Sequence, residues 1–268
     1  MTTPPDHISR FAAHLSSARP ARGLDEPRPR HRAHVLAIDR SNPDTTRVLV
    51  EHRAPHFDAL HQWPGQYTTM AIGDQAPRYI AMASAPGEQP GRWEFLLSSD
   101  SSLGRAIELD APLSLTAPEG AGFHSALWGR GPAPRLLFCS GSGIAALRAL
   151  INHTRTHAPD VLARTHLYYG VGGIKDVAYT RAIMAWELEG MHIHMAYNQG
   201  LEGYPLYVTQ AFEAHPVALD QAQVGLSGAG VMIREVVKLL LSKGLSMEQV
   251  HLNVDVAKFD PLATPSSN

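Results

Sequence analysis

Leu137-Phe138-Cys139-Ser140-Gly141-Ser142-Gly143-Ile144 is an apolar run that enters a glycine-bracketed turn and opens onto a helical pattern from Ile144 to His157. It reads as a buried strand, a tight turn and a helix. In that arrangement the free amide N–H groups of the first helical turn and the positive end of the helix dipole face outward. A pyrophosphate can then approach the backbone with no side chain in its way. Ser227-Gly228-Ala229-Gly230-Val231-Met232 repeats the pattern after a later strand. One Gly-Ser-Gly turn also serves as an ordinary ligand-free connection. Two of them at the carboxyl ends of strands in one open sheet would lie along the same ligand-bearing edge.

Around these turns strand and helix alternate. Arg135 to Ser140 reads as a strand, Ile144 to His157 as a helix, Thr165 to Tyr169 as a strand and Asp176 to Glu189 as a helix. His192 to Tyr197, Val208 to Ala214, Val224 to Ser227, Val231 to Lys243 and Val250 to Val254 continue the rhythm. This predicts a parallel sheet covered on both faces. Upstream the signals differ: His34 to Ile38, Thr46 to Glu51, Gln66 to Ile72, Tyr79 to Ala83, Trp93 to Ser98 and Pro112 to Thr116 are short, β-rich and separated by Pro and Gly turns. Six such strands predict a small antiparallel β-barrel. One helix, Ser101 to Ile107, interrupts them, with Ser101 or Ser102 as its N-cap. The expected organisation is a disordered tail over 1–30, a barrel domain over 31–130, an α/β domain over 131–258 and a second tail over 259–268. The boundary falls in the Gly- and Pro-rich stretch Gly120 to Pro134.

With 268 residues, 44% of them hydrophobic, the chain can bury a substantial core. A formal charge of −2 gives no reason to expect nucleic acid or anionic lipid as a partner. The single cysteine, Cys139, excludes an internal disulfide and any four-thiolate metal or iron–sulfur site made by this chain alone. Any electrons therefore travel on an organic cofactor. No apolar run reaches the roughly 20 residues of a membrane span, and the expected location is cytoplasmic. The arginine-rich start, with His7 to Leu15 able to form a short amphipathic helix, leaves organelle targeting open.

The order of these pieces resembles the ferredoxin-NADP reductase superfamily, from about His31 to Val254. The matching stretches are Pro64-Gly65-Gln66-Tyr67, Arg78 to Ser84 (RYIAMAS), Gly141-Ser142-Gly143-Ile144, Leu167 to Gly170 (LYYG) with Asp176-Val177-Ala178-Tyr179 behind it, and Ser227-Gly228 with Met232. The stretches RYIAMASAP, GSGIAALRALI and LYYG are similar to a plant-type branch of small reductase-like proteins. The resemblance implies a barrel that binds FAD and an α/β domain that binds NADH or NADPH. It implies that Arg78 holds the FAD pyrophosphate with Ser101 and Ser102 as the second contact, and that Tyr79, Ile80 and Ala81 lie along the flavin. It places Gly141, Ser142, Gly143 and Gly170 at the nicotinamide nucleotide, and Ser227, Gly228 and Met232 where its ring meets the flavin. No residue is assigned a catalytic role. The implied activity is an FAD-dependent NAD(P)H oxidoreductase with an unidentified acceptor, which could be a ferredoxin, a quinone, a haem protein or oxygen.

This chain also departs from the family. Ile80 and Ala81 stand where the family has a stacking aromatic and a hydroxyl that reaches flavin N5; Ser227 replaces a cysteine and Ala146 a proline. These changes imply altered flavin reactivity, or a nucleotide-binding or regulatory module whose flavin site has decayed. A subunit working inside a larger electron-transfer complex is a third reading. Tyr197-Asn198-Gln199 and Gly172-Gly173 supply no cation for a 2′-phosphate, which favours NADH, while Lys175 and Arg181 keep NADPH in play.

Other residues have plainer readings. The 15 histidines include His192-Ile193-His194, two imidazoles on one strand face with no third ligand near in sequence, so no metal site is expected. Cys139 is expected to be a buried, inert thiol. Trp63, Trp93, Trp186 and Met232 are expected to be core. No nucleophile elbow surrounds Ser227, which excludes a serine hydrolase.

Overall fold

The computed structural model describes residues 29–253. The expected tails, apart from positions 29 and 30, the targeting stretch and Val254 lie outside the described residues. Six strands form the first sheet: β1 (His31–Asp39), β2 (Thr45–His52), β3 (Tyr67–Ile72), β4 (Arg78–Ala81), β5 (Arg92–Ser98) and β6 (Leu113–Leu115). Their order is β4-β3-β6-β1-β2-β5, and every pairing is antiparallel. The Met82↔Phe95 bridge brings the two edges together, so the sheet closes into a barrel. Alternate side chains, among them Val48, Val50, Met70, Trp93, Phe95 and Leu97, turn inward as its core.

Two short helices accompany the barrel. α1 (Pro55–Leu60) was not legible as a helix in the sequence; it starts on a proline, which needs no N–H partner there. α2 (Ser102–Ala106) follows its expected cap, with Ser101 Oγ accepting from Gly104 N–H at 2.9 Å.

The second sheet contains β7 (Arg135–Ser140), β8 (Thr165–Val171), β9 (His192–Tyr197), β10 (Gln223–Ser227) and β11 (Val250–Leu252), all parallel, in the order β11-β10-β7-β8-β9. Helices α3 (Ile144–His157), α4 (Thr180–Leu188), α5 (Val208–Ala214) and α6 (Gly230–Ser242) connect the strands. The helix expected over Asp176–Glu189 is shorter than its apolar pattern. Ile174–Asp176 forms a 3-10 turn, Tyr179 adopts the left-handed conformation at φ 60°, and α4 starts only at Thr180.

Two clusters cover the two faces of this sheet. One of them also takes in Ala83, Leu96, Phe123 and Leu127 from the barrel side, so the units share a continuous apolar contact. Trp93 and Trp186 are buried as expected, and Cys139 is buried with its thiol pKa pushed well up by burial. Trp63 is not core. It is 44% exposed and stacks on Trp128, and the Gly122 turn passes close to its Cβ. No helix among the described residues is long and apolar enough to cross a membrane.

Candidate functional site

The strand order places a switch point between β7 and β10. From β7 the chain moves outward to β8 and β9, then returns to the opposite side of β7 as β10. The turns after these two neighbouring strands therefore face the same crevice. Here they touch backbone to backbone. A Cβ on Gly143 would stand 2.4 Å from Ser227 O and 2.6 Å from Gly228 Cα. Gly228, at φ +135°, is hemmed in by Ser140, whose Oγ lies 2.7 Å from its Cβ position. The same Ser140 Oγ accepts from Ala229 N–H at 3.1 Å and so ties the second turn to the first.

Gly141 shows the opposite environment. Its φ is +50°, and none of the described residues lies within 4 Å of where a Cβ would stand, so this side of the turn is open among them. Tyr169 fixes the turn from below. Its hydroxyl donates to Gly141 O at 3.2 Å and accepts from Ala178 N–H at 3.4 Å. Burial holds the phenol far above its ordinary pKa, so it stays a donor. Ser142 Oγ has no hydrogen-bond partner among the described residues.

The loops after β8 and β9 complete the edge. Gly170 packs against α5, its Cβ position 3.1 Å from Val208 Cγ1. Gly173 N–H donates to Asp176 Oδ2 at 2.6 Å, and Gln199 N–H donates to Gly172 O at 3.0 Å. Asn198 and Gln199 are exposed beyond the end of β9. Tyr204 and Tyr207 were not singled out by the sequence. They are 51% and 58% exposed on the loop between β9 and α5, with Tyr204 edge-on to Tyr197 at 5.1 Å. The string Tyr204-Pro205-Leu206-Tyr207, aromatic but with no strand or helix pattern, was the available signal.

On the barrel side Arg78 is exposed at the start of β4, with no hydrogen-bond or ion-pair partner among the described residues. Tyr79 stands edge-on to Tyr67 at 5.2 Å. Ile80 packs on the barrel core, and Ala81 packs on the cluster shared with the α/β unit. Ser101 Oγ is fully engaged, accepting from Gly104 N–H and donating to Ser98 O at 2.7 Å. Ser102 is exposed, and its hydroxyl has no partner among the described residues. α2 packs on β3 and β5, the strands on either side of β4. Met232 is half-buried in the first turn of α6 and packs on the sheet's second cluster.

No family model matches the chain. A beta-ketoacyl-[acyl-carrier-protein] synthase III from Streptomyces coelicolor is 31% identical over 102 residues, 37% of this chain and 32% of that protein. The chain thus spans about a third of the length of the curated relative it matches. Solved structures align over far more. A cytochrome P450 reductase from Amycolatopsis matches with a TM-score of 0.73 at 21% identity, over 85% of this chain and 70% of that one. The ferredoxin reductase of carbazole 1,9a-dioxygenase matches with a TM-score of 0.68 at 20% identity, over 86% and 70%. A ferredoxin NADP+ reductase from Neisseria gonorrhoeae, solved with bound FAD and NADP, matches with a TM-score of 0.68 at 13% identity, over 85% and 98%. At these identities the likeness is one of fold. A closed antiparallel barrel followed by a five-stranded parallel sheet is the two-domain fold of the ferredoxin-NADP reductase superfamily, and this chain has it.

Proposed function

We propose that the chain is an FAD-dependent oxidoreductase that accepts a hydride from a nicotinamide nucleotide and passes electrons to a separate acceptor. The observation that carries this reading is the pair of glycine turns packed on each other at the switch point, with Gly141 left open above them. The N. gonorrhoeae reductase, with FAD and NADP bound on the same fold, supports it. We place the boundary between the units at 130/131.

The residues present fit the two dinucleotides. Arg78 is a cation without a partner among the described residues, suited to a pyrophosphate. Because Ser101 Oγ is already engaged, we assign Ser101 to holding α2 and Ser102 to the phosphate contact. FAD, when bound, supplies the two-electron acceptor and the one-electron relay. The chain supplies position. Gly141, Ser142 and Gly143 offer backbone N–H groups and the Ser142 hydroxyl to the second pyrophosphate. Ser140 holds Ala229 N–H so that the Ser227–Gly228 turn stays flat against the first turn. Gly170 keeps the end of β8 close to α5. The nicotinamide ring can then approach over Gly228 without a side chain to lift it, as near-contact hydride transfer requires. Ala81 has no side-chain hydroxyl to offer flavin N5.

We assign the exposed rings of Tyr204 and Tyr207 to the adenine end of the nucleotide, beside neutral Asn198 and Gln199. A 2′-phosphate would meet no cation on the β9 loop, and this favours NADH. The packing of Ile80 and Ala81 into apolar clusters favours a second reading, a nucleotide-binding module that no longer reduces flavin. The visible spectrum of the purified protein, followed by anaerobic addition of NADH and separately NADPH, decides between them. Flavin bands bleached by NADH support the reductase. A colourless protein that takes up no added FAD overturns it.

A further inference from the structure

A second cleft, of about 590 Å³, lies between the β1–β2 hairpin of the barrel and residues Val177–Ala182 of the α/β unit. Asp39, Thr45, Arg47, Arg148, Tyr179 and Arg181 are on its walls, whereas Arg78, Ser101, Ser102 and the glycine turns are not. Its size suits a small ligand.

One of its polar groups lacks a use inside the protein. Thr45 is 3% exposed, and its Oγ1 has no hydrogen-bond partner among the described residues. Tyr179 Oη is buried beside the Glu94 carboxylate, on a residue held at φ 60°. Buried hydroxyls are normally satisfied, and a bulky residue in the left-handed region marks strain that the surroundings must hold in place. The charges on the walls differ in how they are matched. Arg148 meets Glu88 at 2.8 Å and Glu94 at 3.5 Å, Arg47 meets Glu94 at 3.5 Å, and Asp39 accepts from Ser41 N–H at 2.9 Å. Arg181 has no partner among the described residues. The cleft therefore presents the Arg181 guanidinium and one buried hydroxyl, Thr45 Oγ1, without partners among the described residues, with the Asp39 carboxylate on the same wall.

We propose that this cleft binds a small molecule bearing a carboxylate or phosphate group, its charge met by Arg181 and one of its oxygens accepting from Thr45 Oγ1. The occupant would touch both units. It would also sit one relay from the first glycine turn, since Ala178 N–H reaches Gly141 O through Tyr169 Oη. The proposal does not rest on the flavin reading.

The test is isothermal titration of the full chain with inorganic phosphate and with succinate at constant ionic strength. It is run on the wild type, Arg181→Gln, Thr45→Val and Arg78→Gln, and repeated with saturating NADH. The expected result is one site for one of the two probes, which also says which anion class is preferred. Arg181→Gln should weaken it by about tenfold or more, the loss of a charged hydrogen bond. Thr45→Val should weaken it less, and Arg78→Gln and NADH should leave it unchanged. The proposal falls if neither probe binds, or if Arg181→Gln leaves binding unchanged, which would mean an adventitious ion only. It also falls if Arg78→Gln abolishes binding or NADH displaces the probe, since the ion would then occupy a nucleotide phosphate site. No arm depends on flavin reduction, so failure here leaves the reductase reading standing.

Discussion

Glycines with the same sequence signature have different physical tasks in this site. Gly143 and Gly228 exist because two backbones meet, so a methyl group at either must move main chain. Gly143→Ala is expected to cost about 1–3 kcal/mol and to abolish nicotinamide nucleotide binding, read by thermal melting and by NADH titration. Gly141→Ala meets only open space and should cost about 1–2 kcal/mol for its left-handed backbone, with binding weakened through the new Cβ rather than through the fold. A Gly143→Ala variant that melts with the wild type would refute the contact assigned to Gly143. Arg78 is a residue-scale test of the other unit. Since it is exposed and unpartnered, Arg78→Gln should change stability by no more than about 0.5 kcal/mol while lowering the flavin content of the purified protein. A variant that keeps full FAD would place the pyrophosphate elsewhere.

At the level of elements, neighbouring strands β8 and β9 carry a histidine group. His166 Nδ1 lies 3.2 Å from His194 Nε2, His192 stacks on His166 at 4.3 Å, and His215, after α5, stacks on His194 at 4.8 Å. Burial first, and neighbouring imidazoles second, lower His166 and His194 to about 4; burial likewise lowers His61 and His153 to about 4. An unfolded histidine titrates near about 6.5. As pH falls the unfolded chain therefore takes up protons first, and the native state loses stability from about pH 6.5 down toward 4. A melting temperature that falls by at least about 5 °C between pH 7 and 5 is expected, with a shallower slope in His194→Gln. A flat profile would show these imidazoles to be solvated.

The same elements show what the sequence could convey. Strand positions were legible because inward and outward residues alternate in the barrel and because the parallel strands are uniformly apolar. The apolar spacing predicts a longer α4 because it runs on through Asp176 to Tyr179, while Asp176 turns back to Gly173 N–H and Tyr179 leaves the helical region. Neither event has a periodic signature. The sequence predicts Trp63 as core because tryptophan in a small barrel usually is, whereas it lies 44% exposed against Trp128, a partner 65 positions away that no local pattern announces. The glycine turns could be read because their chemistry is local. The exposed tyrosines at 204 and 207 could not, since only the end of β9 makes that loop part of the edge.

For the whole molecule, the question is how two units keep a fixed relation. Arg148 on α3 donates to Ala83 O at 2.6 Å and to Glu88 at 2.8 and 3.2 Å, all on the barrel side, and lies 3.5 Å from Glu94 of β5. Its side chain is 15% exposed and that of Glu94 12%. Arg148→Met would leave two carboxylates poorly compensated and is expected to cost about 2–3 kcal/mol. Urea unfolding measures this, and an unchanged midpoint would mean that apolar contact alone holds the units together.

A second tie lies at the other end of the α/β unit, where Asn253, buried just beyond β11, approaches Gly65 with Nδ2 3.5 Å from its carbonyl across 188 residues of chain. During synthesis the barrel emerges first and domains generally fold as they appear. Its Pro64–Gly65 corner, covered within the barrel unit by Phe123, must then wait for its Asn253 contact while the remaining length is translated. Assembly of the two halves thus has a built-in order, with the clasp closing last.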